Sequence, residues 1–256
     1  IVHIGRRPAD INMYYQPEAS VVGDMADALR RIRAVSVRTR EPEAALAVRA
    51  RMVEEHERYA EDGGYPVKPQ RALIDARKVL GPKDIVISDV GANKVWIARH
   101  YQCYEPNTCI ISNGFATMGI AVPGAIAAKL VAPERRVLAV TGDAGFLMNC
   151  QEFETAVRLG TNFVTLIFND KSYGLIKWKQ MMQYGESLYV DFDNPDFVKF
   201  AESMGAIGWR VERTEELRPM LECAFQQEKP VIIDCPIDYG ENMKLTERLK
   251  HLMQEL

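Results

Sequence analysis

The sequence predicts an α/β fold, a three-layer sandwich in which a mainly parallel sheet is covered by helices on both faces. Two patterns predict it: short apolar, β-branched runs that recur between helix-length segments, and glycine-containing turns where those runs end. Strands buried on both faces read as continuous apolar runs. The candidates are Asp84 to Ser88, Thr108 to Ser112, Arg136 to Thr141, Asn162 to Phe168, Ile207 to Val211 and Pro230 to Asp234. The helices expected between them are Pro69 to Leu80, Asn93 to Tyr101, Met118 to Val131, Gly145 to Leu159, Asp196 to Met204 and Glu215 to Gln227. A chain of 256 residues with 47% hydrophobic content can bury the core of one large domain plus part of another.

That main domain is expected over residues 66–256. Before it, residues 1–35 read as a strand at Ile1 to Ile4, a polar loop with Pro17, a strand at Ser20 to Val22 and a helix from Asp24. Two short strands and one helix close no core, so the segment is expected to be the C-terminal remnant of a middle α/β domain. Residues 36–65 are expected to form a helical linker. Glu41 to Glu61 is charged and helix-favouring, Pro42 suits a first helical turn, and Asp62-Gly63-Gly64-Tyr65-Pro66 ends it. A solvated linker is the preferred reading of that helix over an interaction surface.

The net charge of −3, from 32 basic and 35 acidic residues, leaves no footprint for nucleic acid or an anionic membrane, and a small-molecule site is expected instead. No run of about 18 apolar residues is present, so no membrane span and a soluble, cytoplasmic protein are expected. The five cysteines are odd in number and form no C-x-x-C pair, which argues against a disulfide framework or a zinc knuckle and for reduced core thiols. Cys103 and Cys109 near His100 fit no common metal spacing. The common nucleotide motifs G-x-G-x-x-G and G-x-x-x-x-G-K-[ST] are absent.

Ligands of open parallel sheets bind at the carboxyl ends of strands. That rule directs attention to Ser88-Asp89-Val90-Gly91, Ser112-Asn113-Gly114, Thr141-Gly142-Asp143 and Phe168-Asn169-Asp170. In Gly142-Asp143-Ala144-Gly145-Phe146 a carboxylate stands at a helix start, flanked by glycines that let a ligand approach the backbone. Free N–H groups and the positive dipole end of the helix would receive phosphate oxygens, while Asp143 ligates a bridging cation. Magnesium takes few protein oxygens beside phosphates, so one carboxylate and one amide oxygen suffice. Asn169 lies 26 residues after Asp143, one helix and one strand later, which places both side chains at adjoining strand tips. Taken alone the pair is a weak signal, because an Asp at a strand end is more often a helix cap. Met118, in Gly114-Phe115-Ala116-Thr117-Met118-Gly119, reads by itself as a packing residue.

Together these residues resemble the thiamine-diphosphate enzymes, whose G-D-G motif is followed some twenty-odd residues later by Asn. Asp89-Val90-Gly91, Tyr104-Glu105-Pro106, Gln151-Glu152-Phe153-Glu154-Thr155-Ala156, Val190-Asp191-Phe192 and Asp196-Phe197-Val198-Lys199 are similar to acetolactate synthases of the catabolic type. Pro8-Ala9 and Val22-Gly23-Asp24 resemble the end of that family's middle domain. The resemblance implies the thiamine-diphosphate-binding fold, with thiamine diphosphate and Mg2+ as cofactors. It implies that Asp143, Asn169 and the Lys171 carbonyl hold the metal. Gly91, Ala92, Asn93, the amides of Ala144 and Gly145, and the Tyr173-Gly174 backbone would hold the diphosphate. Met118 would prop the bent cofactor, the Ala116 carbonyl would accept from its amino group, and Leu175 and Trp178 would line the cavity, Trp178 being equally readable as a core aromatic.

The sequence departs from the pattern at Ala144 in place of the second glycine, at Asn93 in place of a common histidine, and at Gly174 and Trp178. For the intact enzyme the resemblance implies decarboxylation of a 2-oxo acid such as pyruvate and transfer of the two-carbon unit. Another thiamine-diphosphate decarboxylase or carboligase, or a non-catalytic diphosphate-binding module, are the alternatives. The activating glutamate of the family belongs to an N-terminal pyrimidine-binding domain that is missing here. The expectation is therefore a fragment of a homo-oligomeric enzyme, or else a chain whose partner domain is a separate polypeptide, with no catalytic base of its own and inactive in isolation.

Overall fold

The computed structural model describes residues 1–8, 16–36 and 43–246. It divides into two compact units, Ile1–Ala50 and Arg51–Leu256, and the division falls inside helix α2 (Glu43–Tyr59). In the first unit β1 (Val2–Gly5) and β2 (Ala19–Val22) pair in parallel and α1 (Met25–Val35) follows. Asp24 caps α1 by accepting from the Asp27 N–H at 2.9 Å. The helix buries none of its residues, and Leu29, Ile32 and Val35 are exposed. The expectations placed on Ala9 and Pro42 fall outside the described residues.

The second unit is built on a six-stranded sheet of β3 (Ile85–Ser88), β4 (Cys109–Ile111), β5 (Val137–Gly142), β6 (Val164–Asn169), β7 (Ile207–Arg210) and β8 (Val231–Pro236). The strand order is β4-β3-β5-β6-β8-β7, and every neighbouring pair is parallel. Alternate residues of each strand point to opposite faces, so each continuous apolar run feeds two cores. On one face Val86, Leu138, Val140, Leu166 and Ile233 pack with Leu73, Trp96, Trp178 and Leu217. Those four come from α3 (Pro69–Val79), α4 (Ala92–His100), α8 (Gly174–Tyr184) and α10 (Leu217–Ala224). On the other face Ile87, Val137, Ala139, Ile167 and Ile232 meet Val122, Phe146, Phe153 and Phe197. These belong to α5 (Ala121–Val131), α6 (Asp143–Met148), α7 (Glu152–Arg158) and α9 (Phe197–Ser203). The predicted three-layer α/β fold is the one observed.

Chain order creates one reversal. From β3 the chain passes through α4 to β4 on one side, then returns through α5 to β5 on the other. Such a switch opens a crevice between the carboxyl ends of the two diverging strands, here β3 and β5.

The elements differ from expectation in four places. The expected helix from Gly145 to Leu159 is two helices, α6 and α7, separated at Asn149, whose Nδ2 donates to the Gly119 carbonyl at 2.9 Å. The helix expected from Met118 begins at Ala121, because Gly119 has φ +84°, outside the helical region. Glu215 to Gln227 opens as a short 3-10 turn, Thr214–Glu216. Helix α8 was not expected; its N-cap is Tyr173 rather than Ser, Thr, Asp or Asn, and only Gly185, left-handed at φ 79°, signals its end.

The cysteines are free, as expected, yet only Cys235 is buried; Cys103 and Cys223 are exposed. Cys103 lies in the loop after α4, and Cys223 lies off the Leu217-Leu221-Ala224 stripe that α10 buries. Among the described residues no helix is long and apolar enough to cross a membrane.

Candidate functional site

A pocket opens at the carboxyl ends of β3, β5 and β6, lined by residues 90–93, Met118, residues 142–145, Asp170, residues 172–176 and Tyr239. Three helices start on its wall, α4, α6 and α8, with Gly91, Gly142 and Tyr173 at their N-caps. Among the described residues no N-cap side chain bonds the start of any of the three, which they share with α3, α5, α7 and α10, while α1 and α9 are capped by Asp24 and Asp196. Uncapped first-turn N–H groups, aided by the helix dipole, form a ready anion site. Gly91 lets Asn93 fold back tightly against the turn, since a Cβ there would stand 2.6 Å from Asn93 Oδ1.

Asp143, on the wall of this crevice, is fully buried. Its Oδ1 accepts from the Ala144 N–H at 2.8 Å, and its Oδ2 accepts from the Lys171 N–H and from Asn194 Nδ2, each at 2.7 Å. The same Asn194 nitrogen donates to Asn169 Oδ1 at 3.0 Å. A carboxylate oxygen and an amide oxygen thus converge on a single positively polarised group. Behind them, Asn169 Nδ2 donates to Asp234 Oδ1 at 2.8 Å, and Arg210 Nε donates to Asp234 Oδ2 at 2.9 Å. Lys171 is left-handed, φ 54°, uncommon outside glycine. Its carbonyl accepts from the Phe192 N–H at 3.0 Å, and the Tyr173 N–H donates to the Val190 carbonyl at 2.9 Å. This pairing of 171–173 with 190–192 carries Asn194 to the site.

Electrostatics favour a cation here. Burial pushes the Asp143 carboxyl up, against the lowering effect of Asn194 and the backbone N–H groups. Burial and the nearby Asp143 charge push Asp170 up to about 8. Burial likewise raises Asp89. A divalent cation beside Asp143 would offset this desolvation of negative charge. The donor set fits a small hard ion completed by phosphate oxygens. Among the described residues Asn194 Oδ1 and Tyr239 Oη are buried with no hydrogen-bond partner, polar atoms left over for a ligand.

Asp89 organises the opposite wall. Its Oδ1 accepts from the N–H groups of Val90 and Gly119 at 2.7 and 2.9 Å, and its Oδ2 from the N–H of Ala121 at 3.0 Å. The turn that presents Met118 to the pocket is thereby tied to the end of β3.

Of the residues expected at the site, Gly91, Ala92, Asn93, Met118, Asp143, Ala144, Gly145, Tyr173, Gly174 and Leu175 line the pocket. Asn169 and Lys171 stand beside Asp143 without lining it; Ala116, left-handed at φ 52°, lies outside the lining. Several groups are engaged already. The Ala144 N–H serves Asp143, the Tyr173 N–H serves Val190, and Asn93 Nδ2 donates to the carbonyls of Asp89 and Val140 at 3.0 and 3.3 Å. Trp178 belongs to the core, its Nε1 donating to Thr246 Oγ1 at 2.7 Å. The Ser112-Asn113-Gly114 turn stays off the pocket. Sequence reasoning missed Asn194, Asp234, Tyr239 and the bonding of Asp89. Only Asp234 carried a signal, a lone carboxylate within an apolar strand, which demands a partner.

Comparison with known proteins agrees with this geometry. The family model described as thiamine pyrophosphate enzyme, C-terminal TPP binding domain, matches residues 89–235; thiamine pyrophosphate is thiamine diphosphate by another name. The chain is 36% identical over 249 residues to an acetolactate synthase of Bacillus subtilis, covering 96% of this chain and 44% of that protein. It is 36% identical over 261 residues to a catabolic acetolactate synthase of Raoultella terrigena, covering 100% of this chain and 46% of that protein. With the mitochondrial acetolactate synthase catalytic subunit of Saccharomyces cerevisiae the identity is 32% over 245 residues, 93% of this chain and 36% of the relative. The chain spans less than half the length of these relatives. The sheet, the crevice at its reversal and the match from Asp89 to Cys235 together make this chain a member of the thiamine pyrophosphate enzyme family, carrying its C-terminal TPP-binding domain.

Proposed function

We propose that this chain is the cofactor-anchoring part of an acetolactate synthase-like enzyme that decarboxylates a 2-oxo acid such as pyruvate and passes the two-carbon unit to an acceptor. The observation that carries this reading is the convergence of Asp143 Oδ2 and Asn169 Oδ1 on one point, 2.7 and 3.0 Å from Asn194 Nδ2, beside three uncapped helix starts. Asp143, Asn169 and the Lys171 carbonyl hold Mg2+, and first-turn N–H groups of α4, α6 and α8 receive the diphosphate. When bound, thiamine diphosphate supplies stabilisation of a carbanion, which side chains alone do poorly. Met118, fixed through the Asp89 turn, orients it, and Leu175 excludes water from one wall.

No residue of this chain is assigned the activating proton transfer. That role belongs in this reading to a pyrimidine-binding domain, with chains associating as a homo-oligomer in the cytoplasm and the isolated chain inactive.

Calorimetric titration of thiamine diphosphate into the chain with and without Mg2+, beside Asp143→Ala, tests the proposal. Binding that requires Mg2+ is expected, weakened at least about 100-fold by the substitution, since outer partners of metal ligands alone are worth roughly 10–100-fold. A folded wild-type chain that binds no cofactor with Mg2+ present would sink the reading.

A further inference from the structure

We infer that Asp234 is a positioning residue for the cation site, fixing which end of the Asn169 amide faces Asp143. The inference rests on the reading of Asp143 and Asn169 as metal ligands. An amide has two ends of opposite polarity, and only its oxygen can bind a cation. Asn169 ends β6, and β8 runs beside it with Asp234 in register opposite Ile167. Asp234 is buried within the apolar run Val231-Ile232-Ile233, where a carboxylate persists only if its oxygens are matched.

Both oxygens are matched. Oδ1 takes Asn169 Nδ2 at 2.8 Å, and Oδ2 takes Arg210 Nε at 2.9 Å from β7 on the far side of β8. Arg210 also reaches Asp196 Oδ1 at 3.2 Å, so the carboxylate is held from outside before it holds the amide. A carboxylate offers only acceptors to its neighbour, so the end of Asn169 that faces it must be the NH2 group. The oxygen is then directed toward Asp143, where Asn194 Nδ2 now meets it at 3.0 Å. Turning the amide over would set oxygen against carboxylate and nitrogen against nitrogen, losing both bonds and presenting a donor to the cation. Asp234 thus acts through Asn169, without touching the ligand.

A bystander role, in which Asp234 only pairs with Arg210 to hold β7 against β8, makes a different prediction. The test is calorimetric titration of Mn2+ into the chain with thiamine diphosphate present. It compares wild type, Asp234→Asn, Asn169→Asp and the double variant, with Asp143→Ala as the control for the site itself. Asp234→Asn is expected to weaken Mn2+ binding about 10-fold or more. In the Asn169→Asp background both atoms at position 169 are oxygens, so orientation no longer matters. There Asp234→Asn should leave the affinity unchanged or raise it by relieving two facing carboxylates.

Wild-type affinity in Asp234→Asn, or an equal loss in both backgrounds, overturns the inference; the second result marks a plain charge effect. Mn2+ binding abolished by Asp143→Ala but untouched by Asp234→Asn leaves the site standing and removes only the positioning role. No Mn2+ binding to wild type removes both. Should Asp234→Asn not fold, the wild-type chain still decides: its Asn169 side-chain N–H protons should exchange slowly with solvent by NMR, and fast exchange overturns the assignment.

Discussion

Replacing Asp89 with Asn should loosen the Met118 turn, by an amount the geometry sets. The carboxylate is buried and serves three backbone donors, Val90 and Gly119 through Oδ1 and Ala121 through Oδ2. An amide keeps one oxygen, which best serves the pair at 2.7 and 2.9 Å, and turns its NH2 toward the Ala121 N–H. One buried N–H without an acceptor costs about 1–3 kcal/mol. Turning two charge-assisted bonds into neutral ones costs about 1 kcal/mol more. Relief of the buried charge, which raises this carboxyl, offsets part of the loss. The net is about 2–3 kcal/mol, or roughly 4–12 °C in melting temperature for a domain of this size.

Thermal melts of Asp89→Asn beside wild type, each with and without thiamine diphosphate and Mg2+, provide the assay. The variant should melt lower and gain less from the cofactor. Melting within about 1 °C of wild type would refute the bonding argument, and a lower melt with undiminished cofactor gain would refute the link to Met118.

Gly119→Ala should disturb the same turn from the other end: φ +84° is unfavourable for alanine and the new Cβ would lie 2.7 Å from Asn149 Nδ2, so a loss of about 2–4 kcal/mol is expected in urea unfolding. Gly174→Ala puts a Cβ 2.9 Å from Asp170 Oδ2 and 3.3 Å from the Tyr239 ring, at the start of α8; cofactor affinity should fall in calorimetry while the melting temperature stays close to wild type, because the Asp170 carboxylate can turn. Burial raises the Asp75 carboxyl above the ordinary aspartate value of 3.8 despite its 2.8 Å bond from Arg71, so the folded state holds this proton more tightly than the unfolded one. Its contribution to stability is fully present below that value and lost as pH rises through the folded value. The urea midpoint of Asp75→Asn relative to wild type should therefore climb as pH rises above the ordinary aspartate value.

The sheet was legible because strands buried on both faces have few alternatives: Arg136 to Thr141 holds the apolar stretch Val137 to Val140, Asn162 to Phe168 is apolar from Phe163 on except at Thr165, and β5 and β6 lie within two residues of those runs. The crevice followed from the strand ends, and the structure brings Asp143 and Asn169 to one donor. What escaped depended on partners distant in sequence. Asn149 ends α6 through Gly119, 30 residues away, and no local pattern reveals that. Asn194 stands in an Asn-Pro pair that reads as an ordinary turn, and only the pairing of 171–173 with 190–192 carries it to Asp143. Helix α8 lacked a start signal because its first turn carries no side-chain cap.

That last omission has a thermodynamic side. A helix start whose N–H groups are only partly matched frays more readily, and three starts without an N-cap side-chain bond meet at one place in this protein, where Ala144 and Lys94 have acceptors. A diphosphate lodged there would complete α4, α6 and α8 at once, making the ligand a shared structural terminus for elements that lie on both faces of the sheet. Hydrogen exchange in the first turns of these helices should slow together on cofactor binding, so that the part of the domain softest when empty becomes among the firmest when filled.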